Sequence, residues 1–204
     1  MTKLQRETVI RAALDLLNEL GVDGLTTRKL AERLDVQQPA LYWHFKSKRA
    51  LLDALAETML AEKHKRPLPR DGEDWRSFLK ENSRSFRNAL LAYRDGARIH
   101  AGTRPGEPQF GIAEAQIRFL CEAGFTPESA AYALAAISHY TVGAVLEQQA
   151  AETGEGATAG RSQPPPFLKA VLEDFDRAGA DAVFDYGLDA IIDGLENRRA
   201  RPAG

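Results

Sequence analysis

The chain has 204 residues, is 44% hydrophobic and carries a formal net charge of −2. That is enough apolar material for one small and one larger domain, and no stretch reads as the roughly 20 apolar residues of a membrane span. Met1 is followed by polar Thr2, Lys3, Gln5, Arg6 and Glu7, which excludes a secretory leader and predicts a soluble, cytoplasmic protein. The single cysteine, Cys121, excludes an intramolecular disulfide and a cysteine-based zinc site, and its neighbours Phe119, Leu120 and Phe125 predict a buried structural thiol.

Taken in chain order, the apolar spacing predicts an all-α protein: helices over 5–20, 27–34, 38–44, 48–64 and 75–93, a short turn near 95–100, then helices over 107–123, 127–150, 167–178 and 182–198. Gly21 and Gly124 read as helix C-terminal stops, and Thr126-Pro127-Glu128 joins a cap, a first-turn proline and a carboxylate at the positive helix end. Pro67 to Glu73 reads as a linker, and Ala151 to Pro166, small, polar and proline-ended, as a mobile loop.

The segment Leu25 to Leu55 is the most informative. Thr26 or Thr27 caps a short helix whose Leu30, Ala31 and Leu34 share a face. Asp35 tolerates left-handed backbone and allows a tight turn, Pro39 suits the first turn of a second short helix, and Leu41 and Phe45 point back to the core. Ser47 caps a longer helix with the stripe Leu51, Leu52, Leu55, Met59. This is a helix-turn-helix with the next helix attached, and DNA is the partner it suits.

The exposed chemistry fits a major groove. Arg28 can donate twice to guanine, Gln38 can pair with adenine, and Pro39 with Ala40 offers apolar contact to a thymine methyl. Thr27, Tyr42, Trp43, His44 and Lys48 supply the remaining contacts, with Thr27, Tyr42, His44 and Lys48 of the types that hold phosphates. The plainer alternatives are that Arg28, Lys46, Lys48 and Arg49 form only a solvated face and that Tyr42 and Trp43 pack between helices. Adjacent Tyr42, Trp43 and His44 cannot all face inward. Residues 1–49 hold nine Lys and Arg against six Asp and Glu, whereas residues 50–204 hold eighteen against twenty-three. A mildly basic head on an acidic body suits selective phosphate contact rather than coating of nucleic acid.

From Leu25 to His64, then through Phe78 to Pro105 (ending HAGTRP) and Ala136 to Gln149, the chain resembles the tetracycline-repressor family of one-component transcriptional regulators. The resemblance implies a homodimeric repressor that binds a palindromic operator and leaves it on binding a magnesium-tetracycline complex. It divides the chain into a DNA-binding domain (1–47), a connecting helix (48–66) and a ligand-binding and dimerisation domain (67–204). His64, Asn82, Phe86 and Gln116 match positions that touch the drug. His100 matches the direct magnesium ligand, Thr103 a contact through water, and Glu147 a water-mediated contact from the partner subunit. Arg104 and Pro105 match a loop over the ligand.

Magnesium prefers oxygen ligands and keeps several waters, so one imidazole with water-bridged Thr and Glu makes sense only when the ligand itself chelates. Individually, the histidines read as structural, Phe86 as core and Glu147 as solvated. Ala40, where relatives often carry Thr, bears on operator preference, and the small Ala113 and Ala131 bear on the preferred drug.

Two apolar stripes run along helices, Phe184, Leu188, Ile191, Ile192 and Leu195 on the last and Leu134, Ile137, Tyr140, Thr141 and Val145 on the 127–150 helix, and the family resemblance implies that these two helices form a four-helix bundle with the partner. The alternative is that both face their own core. The competing readings of function are the same machine answering another ligand, and a metal-dependent hydrolase built on His64, His100, His139 and Glu147. The hydrolase lacks an HExxH or paired-carboxylate spacing, and no enzyme is expected.

Overall fold

The computed structural model describes residues 4–103, 106–152 and 163–199. Every regular element among them is a helix, as the periodicity predicts: α1 (Arg6–Gly24), α2 (Thr27–Arg33), α3 (Pro39–Tyr42), α4 (Lys48–Lys63), α5 (Trp75–Leu91), α6 (Gly96–His100), α7 (Glu107–Glu122), α8 (Pro127–Glu152) and α9 (Pro166–Arg199). The chain forms two compact units, Met1–Pro67 with Arg84–Phe110, and Leu68–Ser83 with Gly111–Gly204. The sequence reading places everything from 67 onward in one body. Residues 84–110 instead pack with the head, because Tyr93 and Ile99 belong to the apolar cluster that holds α1 and α4.

In the first unit the turn chemistry is local and explicit. The Thr26 hydroxyl accepts the Lys29 amide at 3.2 Å and starts α2. Asp35 takes the left-handed conformation at φ 52°, so the chain reverses within a few residues and α3 begins at Pro39. The Ser47 hydroxyl accepts the Ala50 amide at 3.1 Å and starts α4. Leu30, Leu41 and Phe45 are buried with Leu14, Leu17, Leu55 and Met59, so α2 and α3 have one orientation available to them. A polar network ties α1 to α4: Glu62 accepts from Arg11 and, at 2.7 Å, from the Tyr93 hydroxyl. The Asp95 carboxylate accepts the Val22 amide at 2.8 Å, which fastens the end of α1 to the start of α6.

In the second unit α8 packs on α9 around Phe78, Leu120, Phe125, Ile137, Phe184, Leu188 and Ile192. Thr126 accepts the Ser129 amide and starts α8, as expected. The Tyr140 ring stacks on Phe184 with centroids 5.4 Å apart, and its hydroxyl donates to the Phe184 carbonyl at 2.9 Å.

The helices expected at 167–178 and 182–198 are two helical stretches parted by a kink at Gly179 (φ 77°, ψ 167°), where glycine alone leaves the helix at no steric cost. Gly21 is likewise an interruption of helical geometry (φ 73°), as expected, followed by a short helical stretch to Gly24. Other expectations need correction. Cys121 is half-buried rather than buried, since it lies at the edge of the α7 core face. Most residues of the stripes expected to meet a partner face their own chain, while Leu134, Tyr140 and Ile191 are half-buried. Phe184, Leu188, Ile192, Ile137, Thr141 and Val145 are all buried within one chain, because α8 and α9 lie against each other.

α8 is also long and apolar enough to cross a membrane, with a window of mean hydropathy 1.3, contrary to the reading that no such segment exists. Much of that apolarity is alanine, and Ala130, Ala133 and Ile137 are taken up by the core of the second unit. Of the loop expected at 151–166, residues 153–162 lie outside the described residues.

Candidate nucleic-acid interface and ligand site

Burial of Leu41 and Phe45 on one side of the α3 turn sends its other side chains outward. Arg28, Gln38, Pro39, Tyr42, Trp43 and Lys48 are exposed, and Thr27, Ala40 and His44 are half-buried. Trp43 is 86% exposed, so the alternative that it packs between helices does not hold. Gln38 donates from Nε2 to the Thr27 hydroxyl at 2.8 Å, which brings the starts of α2 and α3 together on one surface. Arg28 donates from Nε to Glu32 at 2.9 Å, one turn along α2. Both bonds are solvent-exposed and weak enough to be exchanged for base or phosphate partners.

In the first unit the structure also gathers four of the expected ligand residues. α4 ends at His64, α5 carries Phe86, and α6 ends at His100, three residues before Thr103. Buried Phe86 is in ring contact with both imidazoles, its centroid 6.0 Å from that of His64 and 5.0 Å from that of His100. The Thr103 hydroxyl donates to the His100 carbonyl at 2.7 Å and lies 3.4 Å from Nδ1. Its proton is therefore used, and in any bond between the two side chains the imidazole donates. That leaves a lone pair on Nε2 of His100, the form a metal requires.

In the second unit Asn82 and Gln116 are half-buried on α5 and α7, and Glu147 is exposed on α8. Arg104 and Pro105 lie outside the described residues. Among the described residues no three His, Cys, Asp or Glu side chains converge on one point, so the set His64, His100, His139 and Glu147 does not build a hydrolase centre. The sequence reading passed over Ser85, whose hydroxyl meets His64 Nδ1 at 2.9 Å, and nothing in the primary structure singled it out.

Burial holds the His64 imidazole down to about 4 and lowers His100 as well, so both are neutral near pH 7. A histidine whose folded value lies below its ordinary 6.5 binds a proton more readily in the unfolded chain between those two values. Its contribution to stability is intact above pH 6.5 and is lost as the pH falls toward 4. Unfolding free energies from urea titrations should therefore drop across that window, by no more than about 1.4 kcal/mol per pH unit for each histidine. The slope should flatten in His64→Asn. An unchanged slope in that variant would show that His64 is not the titrating group.

Family models match two regions: "Bacterial regulatory proteins, tetR family" over residues 9–55, and "Tetracyclin repressor-like, C-terminal domain" over residues 68–199. The tetracycline repressor protein class A from transposon 1721 of Escherichia coli is 67% identical over 202 residues, covering 98% of this chain and 94% of that protein. A solved structure of a TetR variant from Acinetobacter baumannii AYE in complex with minocycline is 61% identical with a TM-score of 0.85, covering 98% of this chain and 100% of that one. Another, TetR(class A) in complex with 5a,6-anhydrotetracycline and magnesium, is 60% identical with a TM-score of 0.78, covering 95% and 99%.

Proposed function

The chain belongs to the tetR family of bacterial regulatory proteins, and on that premise we propose that it is a homodimeric, cytoplasmic transcriptional repressor that binds a palindromic operator and leaves it on binding a magnesium-tetracycline complex. The observation that carries the ligand half is the pair of neutral imidazoles, His64 and His100, both in ring contact with buried Phe86. One neutral imidazole with a hydroxyl beside it is too few donors to hold magnesium alone, but it suits magnesium that arrives already chelated by a drug. When bound, the ion joins the drug's oxygens to the protein. His100 would hold it directly, with Thr103 acting through water and Glu147 through water from the partner; His64, Asn82, Phe86 and Gln116 would hold the drug, beside Arg104 and Pro105. In functional terms 1–47 is the DNA-binding domain, 48–66 the connecting helix, and 67–204 the ligand-binding and dimerisation domain.

The buried stripes cannot be the dimer face, but α8 and α9 present others. Ala131, Tyr132, Ala135, Ala136, His139 and Glu147 are exposed along α8, and Ala182, Tyr186 and Ala190 along α9. These residues recur at helical spacing and, Glu147 apart, are small or aromatic, so backbones can approach closely. Glu147 lies on this same face of α8, which suits its action across the dimer. Two heads related by a two-fold axis would read half-sites about 34–36 Å apart, or a multiple of that.

The test is titration of the full-length protein on labelled operator with tetracycline, with and without magnesium. Release should require both; retention of the operator at saturating drug and metal overturns the reading. For the head, Arg28→Ala should cost roughly 1–3 kcal/mol and relax preference at one base pair, whereas Lys48→Ala should weaken all sequences alike and lower the salt slope by about 1. Equal losses on specific and random DNA for Arg28→Ala would remove Arg28 from the base readers.

A further inference from the structure

The Ser85 hydroxyl, on α5, has three partners: the Lys65 amide at 2.8 Å, the Arg66 amide at 3.1 Å and Nδ1 of His64 at 2.9 Å. A serine oxygen offers two lone pairs and one hydrogen. The two amides can only donate, so they occupy both lone pairs. The hydroxyl hydrogen is then directed at Nδ1, which must accept it, and the single proton of a neutral imidazole resides on Nε2.

We propose that Ser85 is a positioning residue that fixes His64 as its Nε2–H tautomer, so that this edge of the ligand site always presents a hydrogen-bond donor and selects a ligand with an acceptor oxygen there. The ligand clause rests on the function proposed above; the tautomer stands apart from it.

Three features of the fold make this one hydroxyl decisive. His64 is the residue at which α4 ends, with extended backbone at φ −79° and ψ 96°. The amides that follow it find their acceptor in the Ser85 oxygen. Ser85 therefore sets both the direction of the chain beyond α4 and the proton position of the ring at its end. Across Phe86 the arrangement is reversed, because the Thr103 proton is used on the His100 carbonyl and Nε2 of His100 keeps its lone pair. Two imidazoles packed on one phenyl ring are thus held in opposite forms, one donating and one able to ligate. A ligand that meets both must place an acceptor oxygen toward His64 and a cation or a donor toward His100.

The chain has four histidines, so selective 15N-histidine labelling of the full-length protein gives few signals, and His64→Gln assigns those of His64. Without ligand, long-range 15N–1H correlations should show His64 Nδ1 unprotonated and Nε2 protonated. Ser85→Ala should shift the ring toward a mixture of tautomers, and Ser85→Thr, which keeps the hydroxyl, should restore the wild-type pattern. A protonated Nδ1 in the wild type, or an unchanged tautomer in Ser85→Ala, overturns the proposal; the wild-type measurement decides even if Ser85→Ala fails to fold. In a second arm, Ser85→Ala should bind magnesium-tetracycline about tenfold more weakly, the value of roughly one hydrogen bond, with recovery in Ser85→Thr. Unchanged affinity despite a shifted tautomer removes the ligand-selecting role. Absence of binding in the wild type sinks the functional reading and leaves the tautomer assignment intact.

Discussion

Gly96→Ala is expected to lower stability by about 3 kcal/mol or more, beyond the usual cost of adding one methyl group to a packed interior. Gly96 is buried at the first residue of α6, and a β-carbon there would overlap the Leu90 carbonyl oxygen and sit 3.1 Å from Cε of Met59. The obstacle is backbone, which no rotamer change can move aside. Relief requires α6 to separate from the end of α5, and α6 is also fastened to α1 by Asp95 and packed on α4. At a few degrees per kcal/mol for a chain of this size, the melting temperature should fall by roughly 10 °C. The control is Gly111→Ala at an exposed position of α7, where a β-carbon meets nothing within 4 Å and alanine is the better helix former, so stability should rise by up to about 1 kcal/mol. Similar denaturation midpoints for the two variants would show that the α5–α6 corner yields where the geometry says it cannot.

What was legible in the sequence was mostly local. Thr26, Asp35, Pro39 and Ser47 specify caps and a turn through their own backbone chemistry, and they stand where their residue types require. Stripe residues could be identified as apolar, but which surface they meet depends on tertiary packing. Phe184, Leu188 and Ile192 were expected to face a partner, with the core as the alternative, and the packing of α8 on α9 buries them within one chain. The break at Gly179, by contrast, was legible, since a glycine between two apolar periods marks where one helical stretch gives way to the next. His64 and His100 stood out through family resemblance alone. Their common neighbour Phe86 and the hydroxyls that orient them, Ser85 and Thr103, come together only when α4, α5 and α6 meet. The Arg11–Glu62–Tyr93 network was invisible for the same reason: its members are separated by at least thirty positions.

His100→Ala is expected to abolish operator release by magnesium-tetracycline while leaving operator affinity unchanged. The imidazole has no place in the DNA-facing surface of α2 and α3, so the repressing form does not depend on it. It is needed when the ligand arrives, and α6, which ends at His100, packs directly on α4. α4 has 16 residues and at 1.5 Å each spans roughly 24 Å, starting at the Ser47 cap beside α3 and ending at His64 beside Phe86. A ligand held by His100 and His64 therefore acts on both the far end of this rod and the helix packed against it. Moving the dimer from 99:1 in favour of the operator-binding form to 1:99 requires the ligand to prefer the released form by about 5.5 kcal/mol. In the proposed role His100 is the one direct protein ligand to the chelate, so its loss should remove much of that preference, and saturating drug should then leave His100→Ala on the operator. Reciprocity supplies the sharper measurement: operator DNA must weaken drug binding to the wild type by the same factor by which drug weakens operator binding. Equal drug affinities for free protein and for the protein–operator complex would mean that this ligand cannot be the inducer, however tightly it binds.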